Sequence, residues 1–206
     1  MSLWYKILYQ IGVTPWEEDP TIGAAAEQIS ALFDREENER QPPFGQALDL
    51  GCGSGIWSVQ LAMRGWQVTG VDIVSKAIRQ ARKRAKTANV EVRFIQGDVT
   101  ALRAVGIEPG YQFIVDFECF NHLNEVQRKA VGHEVSAIAV PGATMLMLVW
   151  TPGRRGPLPP GASRSEIEVA FPRWSIIQED GYVAQSALPP WLKNVNLCFY
   201  RLRHDI

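Results

Sequence analysis

A glycine-rich turn is the first feature of the sequence that could take part in chemistry: Gly51-Cys52-Gly53-Ser54-Gly55 follows the short apolar run 46–50. Glycines at alternate positions let the backbone approach a ligand closely and adopt positive φ angles. Position 56 is isoleucine, so the third glycine of the dinucleotide-binding fingerprint is missing, and the Gly-Lys-Ser/Thr ending of a P-loop is missing too. Asp49, two positions before the first glycine, suits a cationic ligand group such as an ammonium or a sulfonium.

Two further aspartates end predicted strands and indicate a nucleoside ligand. Asp72 lies 21 residues after Gly51, where a carboxylate at the end of a strand can accept hydrogen bonds from both hydroxyls of a ribose. Asp98 ends the third predicted strand and can accept a hydrogen bond from an adenine amino group. Each aspartate has a structural alternative, as the N-cap of a helix or as a member of an ion pair, and the residues alone leave that alternative open.

The elements that must position these residues alternate between strand and helix, which is the pattern of a parallel sheet with helices on both faces. Two late strands in close succession predict an antiparallel pair at one edge of this sheet. The predicted fold is α/β: a doubly wound, Rossmann-like, mostly parallel seven-stranded sheet with an antiparallel edge strand and an N-terminal helical cover. The predicted strands are 46–50, 68–71, 90–95, 111–117, 145–150, 174–178 and 195–202, and the predicted helices are 2–11, 22–38, 56–64, one that Ser75 caps, 124–139 and 165–171.

Three segments carry a resemblance to a known family: LDLGCGSG at 48–55, VDIVSKAI at 71–78 and FIQGDVTAL at 94–102. In this order and at this spacing they resemble three successive motifs of the class I S-adenosylmethionine-dependent methyltransferases, and the resemblance covers about 45–150. It implies S-adenosylmethionine as cofactor and S-adenosylhomocysteine as product. The residues that it implies for the cofactor site are Asp49, Gly51, Cys52 and Gly53 around the methionine part, Asp72 and Ile73 at the ribose, Asp98 and Val99 at the adenine, and Phe117 beside them.

The fourth predicted strand ends in DFECFNHL at 116–123, which is where the acceptor of the methyl group is expected. The Asn/Asp-Pro-Pro-Tyr/Phe motif typical of nucleic-acid and protein-amide methyltransferases is missing, so small-molecule acceptors are favoured. The segment instead resembles, loosely, the thiopurine and tellurite-resistance group of small-molecule methyltransferases. A second short patch at 12–16 resembles a segment of that group that closes over the cofactor, which adds Trp16 to the expected cofactor site.

His122 is the candidate general base for a hydroxyl acceptor, because an imidazole titrates near neutral pH. Asp116 is a second candidate catalytic residue if burial raises its pKa. A hydrogen-bonded loop histidine is the structural alternative for His122, and a thiol, amine or inorganic anion acceptor needs no base. Methyl transfer is an in-line SN2 displacement, which chiefly requires that acceptor, methyl group and sulfur be aligned and that water be excluded.

The seven tryptophans suggest aromatic walls for a planar or lipophilic small-molecule acceptor, with Trp4, Trp16, Trp150 and Trp174 expected near the cofactor. The arginines Arg154, Arg155 and Arg164 follow the fifth predicted strand and suit either an anionic substrate or a solvated loop.

Length, charge and cysteine content narrow the possible classes of protein and of binding partner. A length of 206 residues predicts one domain, and a formal net charge of −1 argues against nucleic-acid or membrane partners. Three widely spaced cysteines predict a cytoplasmic protein that has neither disulfides nor a metal site. Within that domain we expect the helical cover in 1–40, the cofactor-binding core in 45–150 and an acceptor-side loop and edge strands in 151–206. The sequence therefore predicts a small-molecule O-, S- or N-methyltransferase of undetermined oligomeric state. The alternatives are a non-catalytic protein that binds S-adenosylmethionine and, less favoured by Ile56, a nucleotide-dependent oxidoreductase.

Overall fold

The computed structural model describes residues 20–153, 159–182 and 196–205, with the backbone alone in 20–26. The predicted helix 2–11 and Trp16 lie outside these residues, as do Arg154 and Arg155. The helices are α1 (Pro20–Asn38), α2 (Ile56–Met63), α3 (Ser75–Ala88), α4 (Glu125–Ile138) and α5 (Arg164–Ala170), and the strands are β1 (Gln46–Leu50), β2 (Gln67–Asp72), β3 (Val92–Gln96), β4 (Tyr111–Phe117), β5 (Ala139–Trp150), β6 (Trp174–Tyr182) and β7 (Leu197–His204). Three short 3₁₀ turns cover Val99–Ala101, Arg103–Val105 and Phe120–His122.

The seven strands form one sheet in the order β3-β2-β1-β4-β5-β7-β6. The five strands from β3 to β5 pair in parallel, whereas β7 runs antiparallel to both of its neighbours. The reversed strand is therefore β7, and β6 is the edge strand paired with it, so the predicted mixed seven-stranded sheet and its antiparallel edge are confirmed. The strand order reverses between β1 and β4, and ligands of such sheets bind at the carboxyl ends of the strands at that point.

Helices cover both faces of the sheet, because the apolar side chains of each strand alternate between the faces. On one face, Ile29 and Phe33 of α1 pack with Phe113 and Val115 of β4 in a buried cluster. On the other face, a larger cluster joins β4, β5 and β7 to the apolar sides of α4 and α5. The described part of the N-terminal cover is therefore the layer that α1 forms over β4.

Helix α3 shows how the sequence pattern becomes packing. Its apolar positions Ala77, Ile78, Ala81 and Ala85 are all buried, as their spacing predicts. The helix begins at Ser75, however, and its N-cap is Val74, so the prediction that Ser75 caps the helix is wrong by one residue. No side-chain hydrogen bond caps this helix; the Asp72 carboxylate accepts a hydrogen bond from the backbone N–H of Val74, the N-cap residue itself, at 2.8 Å.

Strand β5 is longer than the sequence predicts. It begins at Ala139 rather than near 145 and continues through Pro141 and Gly142. Its pairing with β4 shifts register over this stretch, between Tyr111 and Phe113 of β4. Gly142 accommodates the irregular backbone with a φ of +77°. No helix in the described ranges has the length and apolar character needed to cross a bilayer.

Candidate functional site

The glycine-rich turn joins the carboxyl end of β1 to α2 in a backbone conformation that favours glycine. Gly51, Gly53 and Gly55 have φ values of +66°, +52° and +78°, in the left-handed region. The Cys52 N–H donates to the Val71 carbonyl at 3.0 Å, which fastens the turn to β2. The turn therefore lies across the ends of both strands.

Gly51 also allows the segment after β4 to come close. A Cβ placed on Gly51 would lie 2.8 Å from Cys119 Sγ and 2.7 Å from Cys119 Cβ, which is closer than van der Waals contact allows. Cys119 is buried, and burial raises the pKa of its thiol well above the usual range. The structure thus supports a packing role for Cys119 against the glycine turn rather than that of a nucleophile.

Asp72, predicted to hold the ribose, is fully buried at the end of β2. Its Oδ2 accepts a hydrogen bond from the Gly53 N–H at 3.0 Å, and its Oδ1 accepts the one from Val74. A carboxylate has about four lone-pair sites, so these two backbone donors do not by themselves fill its capacity. Asp72 thus positions the glycine turn and remains chemically suited to a ribose, and Ile73, which follows it, is partly exposed.

Asp98, predicted to meet the adenine, has the structural role that was given as its alternative, that of an N-cap. Its Oδ1 accepts hydrogen bonds from Thr100 N at 2.9 Å and from Thr100 Oγ1 at 2.8 Å, which makes Asp98 the N-cap of the 3₁₀ turn Val99–Ala101. The side chain is partly exposed, and its Oδ2 has no hydrogen bond to any described residue. The Val99 side chain is buried in the core, so only its backbone can border an adenine.

Asp49 lies buried in β1, where its Oδ2 accepts a hydrogen bond from Ser58 Oγ of α2 at 2.5 Å. Burial raises the pKa of Asp49 to about 7, although the Ser58 hydrogen bond opposes the rise and the charge of Asp72 adds to it. A cation bound nearby would favour the ionised form of this carboxyl. The pairing that the sequence suggests, of Asp49 with a sulfonium or an ammonium, is therefore electrostatically favourable.

Asp116 is a second buried carboxyl, on the neighbouring strand β4. Its Oδ1 accepts a hydrogen bond from the Phe120 N–H at 3.0 Å, while its Oδ2 is buried without a hydrogen-bond partner among the described residues. Burial raises the pKa of Asp116 to about 7; the Phe120 hydrogen bond opposes this rise and the charge of Asp49 adds to it. The sequence makes Asp116 a catalytic candidate only if burial raises its pKa, and the structure meets this condition.

His122 ends the 3₁₀ turn that follows β4 and is partly exposed. Burial of much of the ring lowers the pKa of His122 to about 4, because the charged imidazolium is poorly solvated there. At neutral pH the imidazole is accordingly uncharged and able to accept a proton.

Aromatic rings line the same edge beside Phe117. The Phe117 ring lies 5.5 Å from Trp57 and 6.1 Å from Phe33, measured between ring centroids. Trp150, at the end of β5, donates from Nε1 to Glu118 Oε1 at 3.0 Å. Trp57 was missed by the sequence analysis, since its place in the first turn of α2 gives no signal of the strand end that it packs against.

Two expectations about aromatic and basic residues change. Trp174 does not lie near the cofactor region: it begins β6 at the amino-terminal edge of the sheet, stacked on His204 with ring centroids 4.8 Å apart. The reason is that β6 runs parallel to β5, so its first residue lies at the opposite edge from Trp150. Arg164 is paired with Glu168 and Glu179, at 2.9 Å each, rather than with an anionic ligand site.

One edge of the sheet thus brings together nearly all of the predicted site: Asp49, Gly51, Cys52, Gly53, Asp72, Ile73, Asp98, Val99, Asp116, Phe117 and His122. Trp16 lies outside the described residues. Within those residues, no three histidine, cysteine or acidic side chains cluster in a way that could hold a metal ion. The donor set fits S-adenosylmethionine, because carboxylates suit its positive charge and its ribose while a glycine turn admits close backbone contact.

Comparison with known proteins gives a matching family. Residues 47–142 match the family described as "Methyltransferase domain". A ubiquinone biosynthesis O-methyltransferase from Caulobacter sp. is 34% identical over 98 residues, which are 47% of this chain and 38% of that relative. The chain therefore spans about two fifths of the length of the curated relatives it matches first.

Solved structures show the same fold. A structure described as "Conversion of a Disulfide Bond into a Thioacetal Group during Echinomycin Biosynthesis" is 25% identical with a TM-score of 0.64, and covers 78% of this chain and 76% of its own. The N-methyltransferase NodS from Bradyrhizobium japonicum, solved with S-adenosylhomocysteine, is 20% identical with a TM-score of 0.65 and covers 78% of both chains. The likeness to the thiopurine and tellurite-resistance group stays loose, since one of its two patches lies outside the described residues.

The domain match, the fold and the convergence of the three motifs at one sheet edge agree, and the predicted cofactor, S-adenosylmethionine, is that of the matching family. The chain thus contains, in residues 47–142, a methyltransferase domain that is similar to those of the class I S-adenosylmethionine-dependent methyltransferases.

Proposed function

We propose that this protein transfers the methyl group of S-adenosylmethionine to a small-molecule acceptor in the cytoplasm. The observation that carries the proposal is the position of Asp116 near the end of β4 and of His122 in the turn that follows it, next to the Gly51–Cys119 contact with the glycine turn. The acceptor side and the cofactor side of the predicted site therefore share one edge of the sheet. The Caulobacter relative is named as an O-methyltransferase of ubiquinone biosynthesis, which supports a small-molecule acceptor.

In this proposal the residues around the glycine turn bind and orient the cofactor. Asp49 faces its positive charge, Asp72 and Ile73 hold the ribose, and Asp98 with the backbone of Val99 meets the adenine. Gly51, Cys52 and Gly53 contribute backbone, and Phe117 and Trp16 border the same site. When bound, S-adenosylmethionine supplies an electrophilic methyl group on a sulfonium sulfur.

His122 accepts the proton of a hydroxyl acceptor. Its imidazole is neutral at pH 7 because burial lowers its pKa to about 4, so the acceptor nitrogen is present over the whole physiological range. A pKa this low departs from the titration near neutral pH expected of this histidine and makes it a weaker base, so it takes the proton only as the acceptor oxygen becomes acidic during methyl transfer. Asp116, ionised above about pH 7, is the second group able to take a proton there.

Cofactor binding is the first test. Titration calorimetry of the full chain with S-adenosylmethionine, S-adenosylhomocysteine and NAD should show binding of the first two alone. Asp72→Ala should weaken binding of both by about 1–3 kcal/mol, the usual loss for hydrogen bonds to a charged group. Glu125→Gln, which removes an exposed carboxylate of α4, is the matched control and should change neither affinity.

Turnover is the second test, with a screen of phenols, thiols, amines and carboxylic acids as acceptors. His122→Asn should lower kcat for a hydroxyl acceptor by about 100-fold, the scale of general base catalysis, and leave kcat for a thiolate acceptor nearly unchanged. Binding of S-adenosylmethionine without turnover of any acceptor would favour a non-catalytic binding protein. Binding of NAD alone would refute the cofactor assignment.

A further inference from the structure

Glu118 has a backbone conformation that residues with a Cβ rarely adopt. Its φ is +75°, and the only other non-glycine residue with a positive φ in the described ranges, Asn89, ends α3 as a left-handed C-cap. Glu118 is not part of a helix end of that kind. Its strain is retained by two hydrogen bonds to β5, from Glu118 N to the Leu148 carbonyl and from Trp150 Nε1 to Glu118 Oε1, each at 3.0 Å.

Those bonds fix Trp150 relative to the turn that carries His122. The backbone N–H of Trp150 donates to Asn121 Oδ1 at 3.1 Å, and its indole N–H donates to Glu118. Trp150 is thus held by residues on both sides of Cys119, its indole by Glu118 and its backbone by Asn121. Phe117 and Trp57, both partly exposed like Trp150, extend the aromatic surface along the same edge.

The charges at this edge are negative. The groups whose charges raise the pKa of the Cys119 thiol, in addition to burial, are the carboxylates of Asp116, Asp72, Asp49 and Asp98. The charge of Glu118 in turn raises the pKa of Asp116. An anionic acceptor would approach against this field, whereas a neutral or cationic acceptor would not.

This inference rests on the proposed methyl transfer. We propose that Glu118 and Trp150 are specificity-determining residues of the acceptor site, and that they select a planar aromatic acceptor that is neutral or positively charged. The indole of Trp150, with Phe117 and Trp57, gives an aromatic ring a flat apolar surface to pack against. The carboxylate of Glu118 holds that indole in place and excludes negatively charged rings.

Three phenols of similar size that share a para-substituted ring and carry side chains of different charge test the inference: tyramine, tyrosol and 4-hydroxyphenylacetate. Their dissociation constants are measured by calorimetry on the full chain saturated with S-adenosylhomocysteine. We expect tyramine and tyrosol to bind at least about fivefold more tightly than 4-hydroxyphenylacetate, which is the scale of one charge pair separated by several ångströms near a protein surface.

Variants separate the charge of Glu118 from its structural role. Glu118→Gln keeps an oxygen acceptor for the indole N–H, so the affinity for tyrosol should stay unchanged while the preference for tyramine over 4-hydroxyphenylacetate falls about threefold. Trp150→Ala should weaken all three phenols. Glu125→Gln, which lies on α4 and pairs with Lys129 in solvent, should leave all three dissociation constants as they are. Unchanged melting temperature and S-adenosylhomocysteine affinity confirm that each variant is folded.

Three outcomes would overturn the inference: equal or tighter binding of 4-hydroxyphenylacetate, an unchanged preference in Glu118→Gln, or no binding of any of the phenols to the loaded protein. Failure of the chain to bind S-adenosylhomocysteine is a different result, because it removes the proposed function and this inference with it.

Discussion

Replacement of Asp116 by asparagine should make the protein less sensitive to alkaline pH. Burial raises the pKa of Asp116 from an ordinary value of 3.8 to about 7, so the folded state binds this proton more tightly than the unfolded chain does. The stabilising contribution of the proton is fully present below about pH 4 and is lost as the pH rises through 7. Integrated between pH 5 and pH 8, the two pKa values give a loss of about 2–3 kcal/mol from this carboxyl alone.

Asparagine removes the titration while preserving the local hydrogen bond. Its Oδ1 can still accept from the Phe120 N–H, and its amide occupies the place of the unpartnered Oδ2. The amide has no acceptor there, which costs free energy at every pH and therefore does not affect the slope. We expect the difference in unfolding free energy between pH 5 and pH 8 to shrink by about 2–3 kcal/mol in Asp116→Asn.

Urea denaturation at pH 5, 6, 7 and 8, followed by tryptophan fluorescence and by circular dichroism, measures these slopes. Asp205→Asn, which changes an exposed carboxylate, is the control and should retain the wild-type slope. A variant slope equal to that of the wild type would refute the argument, since Asp116 would then titrate alike in the folded and unfolded states.

Three further predictions test packing and charge at other positions. Gly51→Ala should lower the unfolding free energy by about 2–4 kcal/mol, because its new Cβ meets a neighbouring side chain. Gly142→Ala, with a similar φ and no atom within 4 Å, should lose only about 1–2 kcal/mol in the same urea titration, and equal losses would contradict the packing argument. Arg128→Met should lower the unfolding free energy by about 2–4 kcal/mol in thermal or urea denaturation, because it breaks the ion pair with Glu166 and the Arg128 side chain is only 7% exposed. Lys129→Met should lower it by under about 0.5 kcal/mol, because the Lys129 side chain is 53% exposed. Between pH 6 and pH 8 the affinity for S-adenosylmethionine should rise about three- to tenfold relative to that for S-adenosylhomocysteine, because Asp49 ionises beside the sulfonium. Calorimetry that shows a flat or falling affinity ratio would exclude that contact.

The sequence predicts the fold well because its signals are local. Strands β1 and β4 have the predicted bounds, since each is an apolar run between turn residues, and α4 begins where Asn124 offers an N-cap. The three motifs then place Asp49, Asp72 and Asp98 without further information, because the carboxyl ends of parallel strands meet at one edge of the sheet.

What the sequence does not predict depends on contacts between distant segments. The direction of β6, and with it the position of Trp174, follows from the insertion of β7 beside β5, which no local pattern reveals. The positive φ of Glu118 is set by hydrogen bonds to β5, some thirty residues later in the chain. Arg128 likewise has the composition of a solvated helix residue, yet it lies over the Phe120 ring at 4.7 Å and donates to the Gly161 carbonyl.

The two buried carboxyls connect the stability of the fold to the binding of the cofactor. Ionised Asp49 and Asp116 destabilise the protein above about pH 7. Burial raises the pKa of each carboxyl, and a nearby cation would offset that rise. Part of the free energy that ionisation costs the unliganded fold should therefore reappear as affinity for a positively charged cofactor. On this argument Asp116→Asn gains stability at pH 8 and at the same time loses part of the preference for S-adenosylmethionine over S-adenosylhomocysteine. A variant that gains the stability and keeps the full preference would show that the charge of Asp116 does not reach the cofactor, and that Asp49 alone accounts for the coupling.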